Sequence, residues 1–108
     1  MKKTINLDFT FKGFDGTEVV VVDQNGNEIP GGVKAWFELG KLISSSSTKD
    51  GNTAVKYFGL AQQLGKSHTL ELDQADTNLL KEFIGTAHLR ADFKAQLLEA
   101  IDNAKEIV

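Results

Sequence analysis

The stretch VVDQNGNEIPGG, residues 21–32, spaces Asp23, Asn25 and Asn27 at alternate positions, as the first oxygen ligands of a calcium loop are spaced. An EF-hand loop also needs glycine at its sixth position for the sharp turn and a bidentate glutamate at its twelfth. Counted from Asp23, those positions hold Glu28 and Lys34. An ammonium group where a carboxylate must close the coordination sphere excludes the loop, and Asn25-Gly26 reads instead as a turn. A second arrangement keeps a cation in view. The strand register derived below sets Asp8, Asp23 and Glu28 side by side on one polar face, where like charges directly opposite one another are unfavourable unless bridged. Hard cations take ~6–8 oxygen ligands and three carboxylates supply fewer. No resident metal is therefore expected, with Asp8, Asp23 and Glu28 as the candidates should one bind.

Catalytic constellations are equally thin. His68 and His88 have neither the His-x-x-x-His nor the Glu-x-x-His spacing that puts two ligands on one helical face. Ser44 to Ser47 have no neighbouring base and no Gly-x-Ser-x-Gly elbow. Gly31-Gly32 precedes a helix start that could receive an anion, but no phosphate-loop or dinucleotide fingerprint surrounds it. The chain has no cysteine, which removes thiolate nucleophiles, zinc knuckles and iron–sulfur clusters. The expectation is a non-enzymatic protein with no catalytic residue and no cofactor.

The elements that position these side chains begin with TINLDFTFKGF, where Ile5, Leu7, Phe9 and Phe11 alternate with Asn6, Asp8, Thr10 and Lys12. Period two indicates a half-buried strand. Asp15-Gly16 and Asn25-Gly26 each suit a two-residue type I′ hairpin turn. Those turns would put Phe11 opposite Val20, Phe9 opposite Val22, and Val22 opposite Ile29. They define an N-terminal three-stranded antiparallel meander ended at Pro30, which lacks an N–H. In this register Val19 and Val21 point outward beside Thr10 and Lys12, an apolar strip on an open face and hence a candidate contact surface.

Helical spacing takes over after Gly31-Gly32. VKAWFELGKLI places Ala35, Trp36, Leu39, Leu42 and Ile43 on a helix, with Gly40 costing it ~1 kcal/mol relative to alanine. Its apolar positions exceed one stripe, so Trp36 or Phe37 is expected to face out as an anchor. The serine-rich SSSSTKDGN, residues 44–52, reads as a connecting loop. Asn52 or Thr53 would cap a second helix with Ala54, Val55, Phe58, Ala61 and Leu64 on its apolar face and Gly65 at its end. HTLELD suits a short fourth strand at a sheet edge. Asp73 or Asp76 then caps a third helix burying Leu79, Leu80, Phe83 and Ile84, and a last helix spans about Leu89 to Lys105. The fold class is α+β: one domain over 1–108, with a meander followed by about four helices packed on one of its faces.

With net charge −3 and Arg90 the only arginine, nucleic acid is a poor partner. From Glu71 to Glu106 eight carboxylates stand against Lys81, Arg90, Lys94 and Lys105, a balance that repels phosphate. No signal peptide and no apolar run of ~18 residues is visible, so a cytoplasmic protein without a membrane partner is expected.

The second half resembles a loose pattern in small phage- and prophage-encoded proteins. The pattern is carried by NTAVKYFGLAQQL, LELDQADTNLLKEFI and FKAQLLEAI, with Ala54, Lys56 and Leu64, then Leu70, Leu72, Asp73 and Asp76, then Lys94 to Leu98. GFDG, QNGNEIPGG and the serine run are not part of it. The resemblance implies a virion-assembly accessory, such as an assembly chaperone or minor structural component, located in the host cytoplasm or on the virion. It assigns no functional residues. The leading expectation is a protein–protein interaction or self-assembly module using Val19, Val21, Trp36 and Phe37. The alternative is a small-ligand or divalent-cation-binding domain.

Overall fold

The computed structural model describes the chain apart from Met1, Pro30, Ser47, Lys49, Ile107 and Val108. Two of the expectations above, Pro30 as a strand end and part of the serine loop, lie outside the described residues. In chain order the elements are β1 (Lys3–Asn6), β2 (Val21–Val22), β3 (Glu28–Ile29), α1 (Ala35–Ser45), α2 (Gly51–Ser67), β4 (Thr69–Leu72), α3 (Gln74–Thr86), α4 (Ala91–Asp102) and β5 (Lys105–Glu106). The protein is α+β, with four helices among the described residues.

The three-stranded antiparallel sheet is not the N-terminal meander. Its order is β4-β1-β5, so β1 is central and its partners come from residues 69–72 and from the end of the chain. Ile5 lies opposite Leu70, and both are fully buried. Lys3 faces Glu106 and Thr4 faces Lys105 across β5. An opposite-charge cross-strand pair is favourable by ~0.2–1 kcal/mol. The last helix accordingly ends at Asp102 rather than Lys105, because residues 105–106 are drawn into the open edge of β1.

β2 and β3 form a separate two-stranded hairpin whose register differs by one residue from the type I′ expectation. Val21, not Val22, lies opposite Ile29, and Val22 lies opposite Glu28. Lys12 bridges to Glu18 in the same shifted register. The turns explain the slip. A type I′ turn needs positive φ at both central residues, yet only the glycines adopt it, Gly16 at 82° and Gly26 at 83°. Gly13 N donates to Thr17 O and Gly16 N to Gly13 O. Asp23 N donates to Asn27 O and Gly26 N to Asp23 O, the same pattern. Both are three-residue loops closed by a left-handed glycine, and each adds one residue to the turn.

A one-residue slip flips every side chain to the other face. Val19 therefore packs half-buried against the core and Val21 is half-buried, while Val20 (62% exposed) and Val22 (56%) face solvent. The outward strip expected at Val19 and Val21 is corrected accordingly. Val20→Lys should change stability by less than ~0.5 kcal/mol. Val19→Lys, which puts an ammonium against the core, should cost ~1–3 kcal/mol. Urea unfolding of the two variants checks the register, and the reverse order would restore the type I′ pairing.

Behind the sheet, Ile5, Leu7, Phe11, Leu39, Leu64, Leu70, Ile84 and Leu97 are buried in one cluster fed by every helix. Phe11 stacks on Phe93 with ring centroids 4.2 Å apart and meets Phe9 edge-on at 5.9 Å. Two of the helix starts are capped by a neighbouring carboxylate. Asp50, not Asn52 or Thr53, caps α2, its carboxylate accepting from Asn52 N and the Thr53 hydroxyl. These bonds, the Thr53 hydroxyl first, hold its pKa below the ordinary carboxylate value. The stabilisation is therefore present above the ordinary carboxylate range and fades as pH falls through the lowered pKa. Asp73 caps α3 by accepting from Asp76 N at 2.8 Å. Among the described residues no helix is long and apolar enough to cross a membrane.

Candidate protein-contact surface

Two N–H groups at the start of α1 would be orphans in an isolated helix. Here Ala35 N donates to Phe9 O and Trp36 N to Leu7 O, so the chain after β1 fixes where α1 begins and how Trp36 is aimed. On the other side stands His68. The helix before it does not stop at Gly65 but runs to Ser67, and His68 takes the left-handed conformation at φ 59°, its N–H closing on Leu64 O. Histidine is among the non-glycine residues enriched in that region. Its ring lies flat on Trp36, with centroids 4.0 Å apart and planes 7° from parallel. Its Nδ1 is 3.3 Å from Asp8 Oδ1. Asp8, His68 and Trp36 thus come together from three separate segments.

Trp36 is half-buried by this stack, and Phe37 beside it is 51% exposed and edge-on to the indole at 5.7 Å. Two grooves meet at this pair. One, of about 300 Å³, runs between α1 and α2 over Gly40, Ser44, Ala61 and Gly65, with Phe58, Gln62 and Lys41 on its walls. The other, also about 300 Å³, lies between α1 and the β2–β3 hairpin and includes Val21 and Ile29. Both contain Trp36 and Phe37, so one apolar surface runs from the hairpin across α1 to α2.

Phe58 is 58% exposed, and Val55, one turn earlier, is more exposed still. The expected apolar face of α2 included both. The helix instead turns Tyr57, Leu60 and Leu64 inward, leaving Phe58 as a site residue that periodicity alone assigned to the core. The available signal was a second apolar stripe on one helix, more than a single core contact uses. Gly40 and Gly65 have no internal explanation: a β-carbon at Gly40 would meet only Leu64 Cδ1 at 4.0 Å, and one at Gly65 would meet nothing within 4 Å. Each costs its helix ~1 kcal/mol relative to alanine, and together they deepen the groove.

The sheet-face carboxylates do not assemble. Asp8 contacts His68, Asp23 Oδ1 accepts from Asn25 N and Asn27 N within its own turn, and Glu28 lies across from Val22. Among the described residues no three of His, Asp or Glu come together as metal ligands. The expected adjacency came from the type I′ register and disappears with it. Another open cleft, about 590 Å³, lies at the β1 edge beside α4, lined by Thr4, Asn6, Phe9, Glu99 and Asn103 among others. The Gln96 side chain in it is already committed to the Lys12 backbone through both its amide atoms.

Compared with family models, with curated proteins and with solved structures, the chain matches none.

Proposed function

We propose that this chain is a non-enzymatic protein–protein interaction module whose contact face is the α1–α2 surface with the neighbouring hairpin. The observation that carries the reading is the exposure of Phe37 and Phe58 on the two walls of one groove, continuous with Trp36 and Ile29. Soluble monomers rarely leave contiguous apolar surface beyond a few hundred Å² without a binding role. Aromatic anchors near the centre of a patch are where binding energy concentrates. Val19 and Val21 pass out of the reading as an outward strip. Trp36 and Phe37 stay, and Phe58 joins them. The resemblance of residues 52 to 101 to phage-encoded proteins supports an assembly accessory as the setting for such a module.

The test is the double variant Phe37→Asp/Phe58→Asp, expressed in the cell that produces the protein. Both side chains are mostly in solvent, so circular dichroism and thermal midpoint should stay close to those of the parent chain. Every complex in which the parent elutes should be lost, leaving the variant at the mass of a single chain. A folded variant that keeps all the parent's associations contradicts the reading.

A further inference from the structure

We infer that the occupant of the α1–α2 groove is a second copy of this chain, docked groove to groove about a two-fold axis. This rests on the reading of that face as a protein contact and names its partner. Three observations on the molecule support it.

The first is area. An aromatic side chain carries ~150–250 Å², so the exposed parts of Phe37 and Phe58 amount to roughly 200 Å². Val55 and Ile29 add roughly 100 Å² on the area implied by their transfer energies. That gives roughly 300 Å² from four side chains, before Trp36 and the groove floor are counted. A standard interface buries ~800 Å² per partner, ~56–65% of it apolar, or ~450–500 Å² a side. The face is of the right order for one complete side of a dimer interface.

The second is shape. An isologous interface must be self-complementary, with residue i of one copy on residue j of the other and the reverse. This face carries both halves of such a contact: the projecting rings of Phe37 and Phe58, and the hollow over Gly40, Ser44, Ala61 and Gly65. A cavity of ~150 Å³ accommodates a benzene ring. A groove of about 300 Å³ has room for an inserted phenyl ring from the partner.

The third is charge. The chain is net −3, so two copies repel on most approaches. The α1–α2 groove carries one ionised side chain, Lys41, whose Nζ lies 3.4 Å from Glu38 Oε1 and 5.3 Å above the Phe37 ring. That pair is neutral as a unit, and the adjoining hairpin groove adds Lys34, so like-charged copies meet over this face without facing an excess of negative charge.

The test uses light scattering on the full chain across a dilution series, together with cysteine variants, since the sequence has no cysteine of its own. The parent chain should weigh twice its monomer mass. Phe58→Asp should weaken the dimer by about 30-fold or more, as loss of a central aromatic anchor does. Gln62→Cys, on the groove wall, should form a disulfide-linked dimer on mild oxidation, while Glu82→Cys on α3 should form no disulfide link. A parent chain that is monomeric throughout the series overturns the inference but not the contact-face reading, which the cellular comparison of Phe37→Asp/Phe58→Asp decides separately. A dimer that survives Phe58→Asp and joins through Glu82→Cys instead also overturns the inference, and leaves the contact-face reading to that same cellular comparison.

Discussion

Phe11→Ala should destabilise the fold by about 3–5 kcal/mol, the range found for truncating a buried phenylalanine. The ring is fully buried, stacked on Phe93 and edge-on to Phe9. Removing it takes away both aromatic contacts and leaves a cavity whose walls come from the segment after β1 and from α4. Neither wall is free to collapse, because the Phe11 backbone is fixed on both sides: its N–H donates to Val33 O and its carbonyl accepts from Val19 N. Domains of this size have a total stability of ~5–15 kcal/mol, so the variant should sit close to the edge of folding. Urea unfolding and a thermal melt give the number. A loss below about 1 kcal/mol would mean that Phe11 is not the centre of this core.

Gln96→Leu should come next, at about 1–3 kcal/mol, the loss of its hydrogen bonds to the Lys12 backbone at ~0.5–1.5 kcal/mol each. From α4, Gln96 Oε1 accepts from Lys12 N at 2.8 Å and Gln96 Nε2 donates to Lys12 O at 2.7 Å. The side-chain amide takes the place of a neighbouring strand where the chain leaves the sheet, and Nε2 also donates to Asp92 O at 3.0 Å. Leucine keeps the volume and strips all three bonds. The effect should be local as well as global: amide exchange should speed up at Lys12 and through the Gly13–Thr17 turn before it changes at Ile5. Gln96→Glu can still accept from Lys12 N but cannot donate to its carbonyl, so it should fall between the two. If Gln96→Glu is worse than Gln96→Leu, or if neither changes exchange at Lys12, the clamp is not what holds this segment.

Much of the architecture was legible because it rests on strong periodicity. The strand around Ile5 and Leu7, the four helices, and the edge strand at Leu70 and Leu72 follow from period two or period 3.6 read directly. What the sequence hid were choices between near-equal local alternatives. Asp15-Gly16 and Asn25-Gly26 fit a two-residue turn and a three-residue turn alike, and only the backbone of Asp15 and Asn25 decides between them. That one residue reversed Val19 through Val22 and with them the expected contact strip and carboxylate cluster. Lys105 and Glu106 continue a helical pattern as readily as they pair with Thr4 and Lys3, and the open edge of β1 settles it. On α2, Val55 and Phe58 form as good an apolar stripe as Tyr57, Leu60 and Leu64. Which stripe faces inward depends on where α1 and α3 lie, a tertiary fact that no window of sequence contains.

If the α1–α2 face meets another protein chain, a probe seated on that face must touch it. A photo-reactive benzoyl-phenylalanine placed at Phe58 in the cell that produces the protein reads this most directly, with the same group at Glu82 on α3 as comparison. Irradiation should give a covalent protein adduct from position 58 and little or none from position 82. The same yield from both positions, or no adduct from position 58 in a chain that folds normally, would contradict the account.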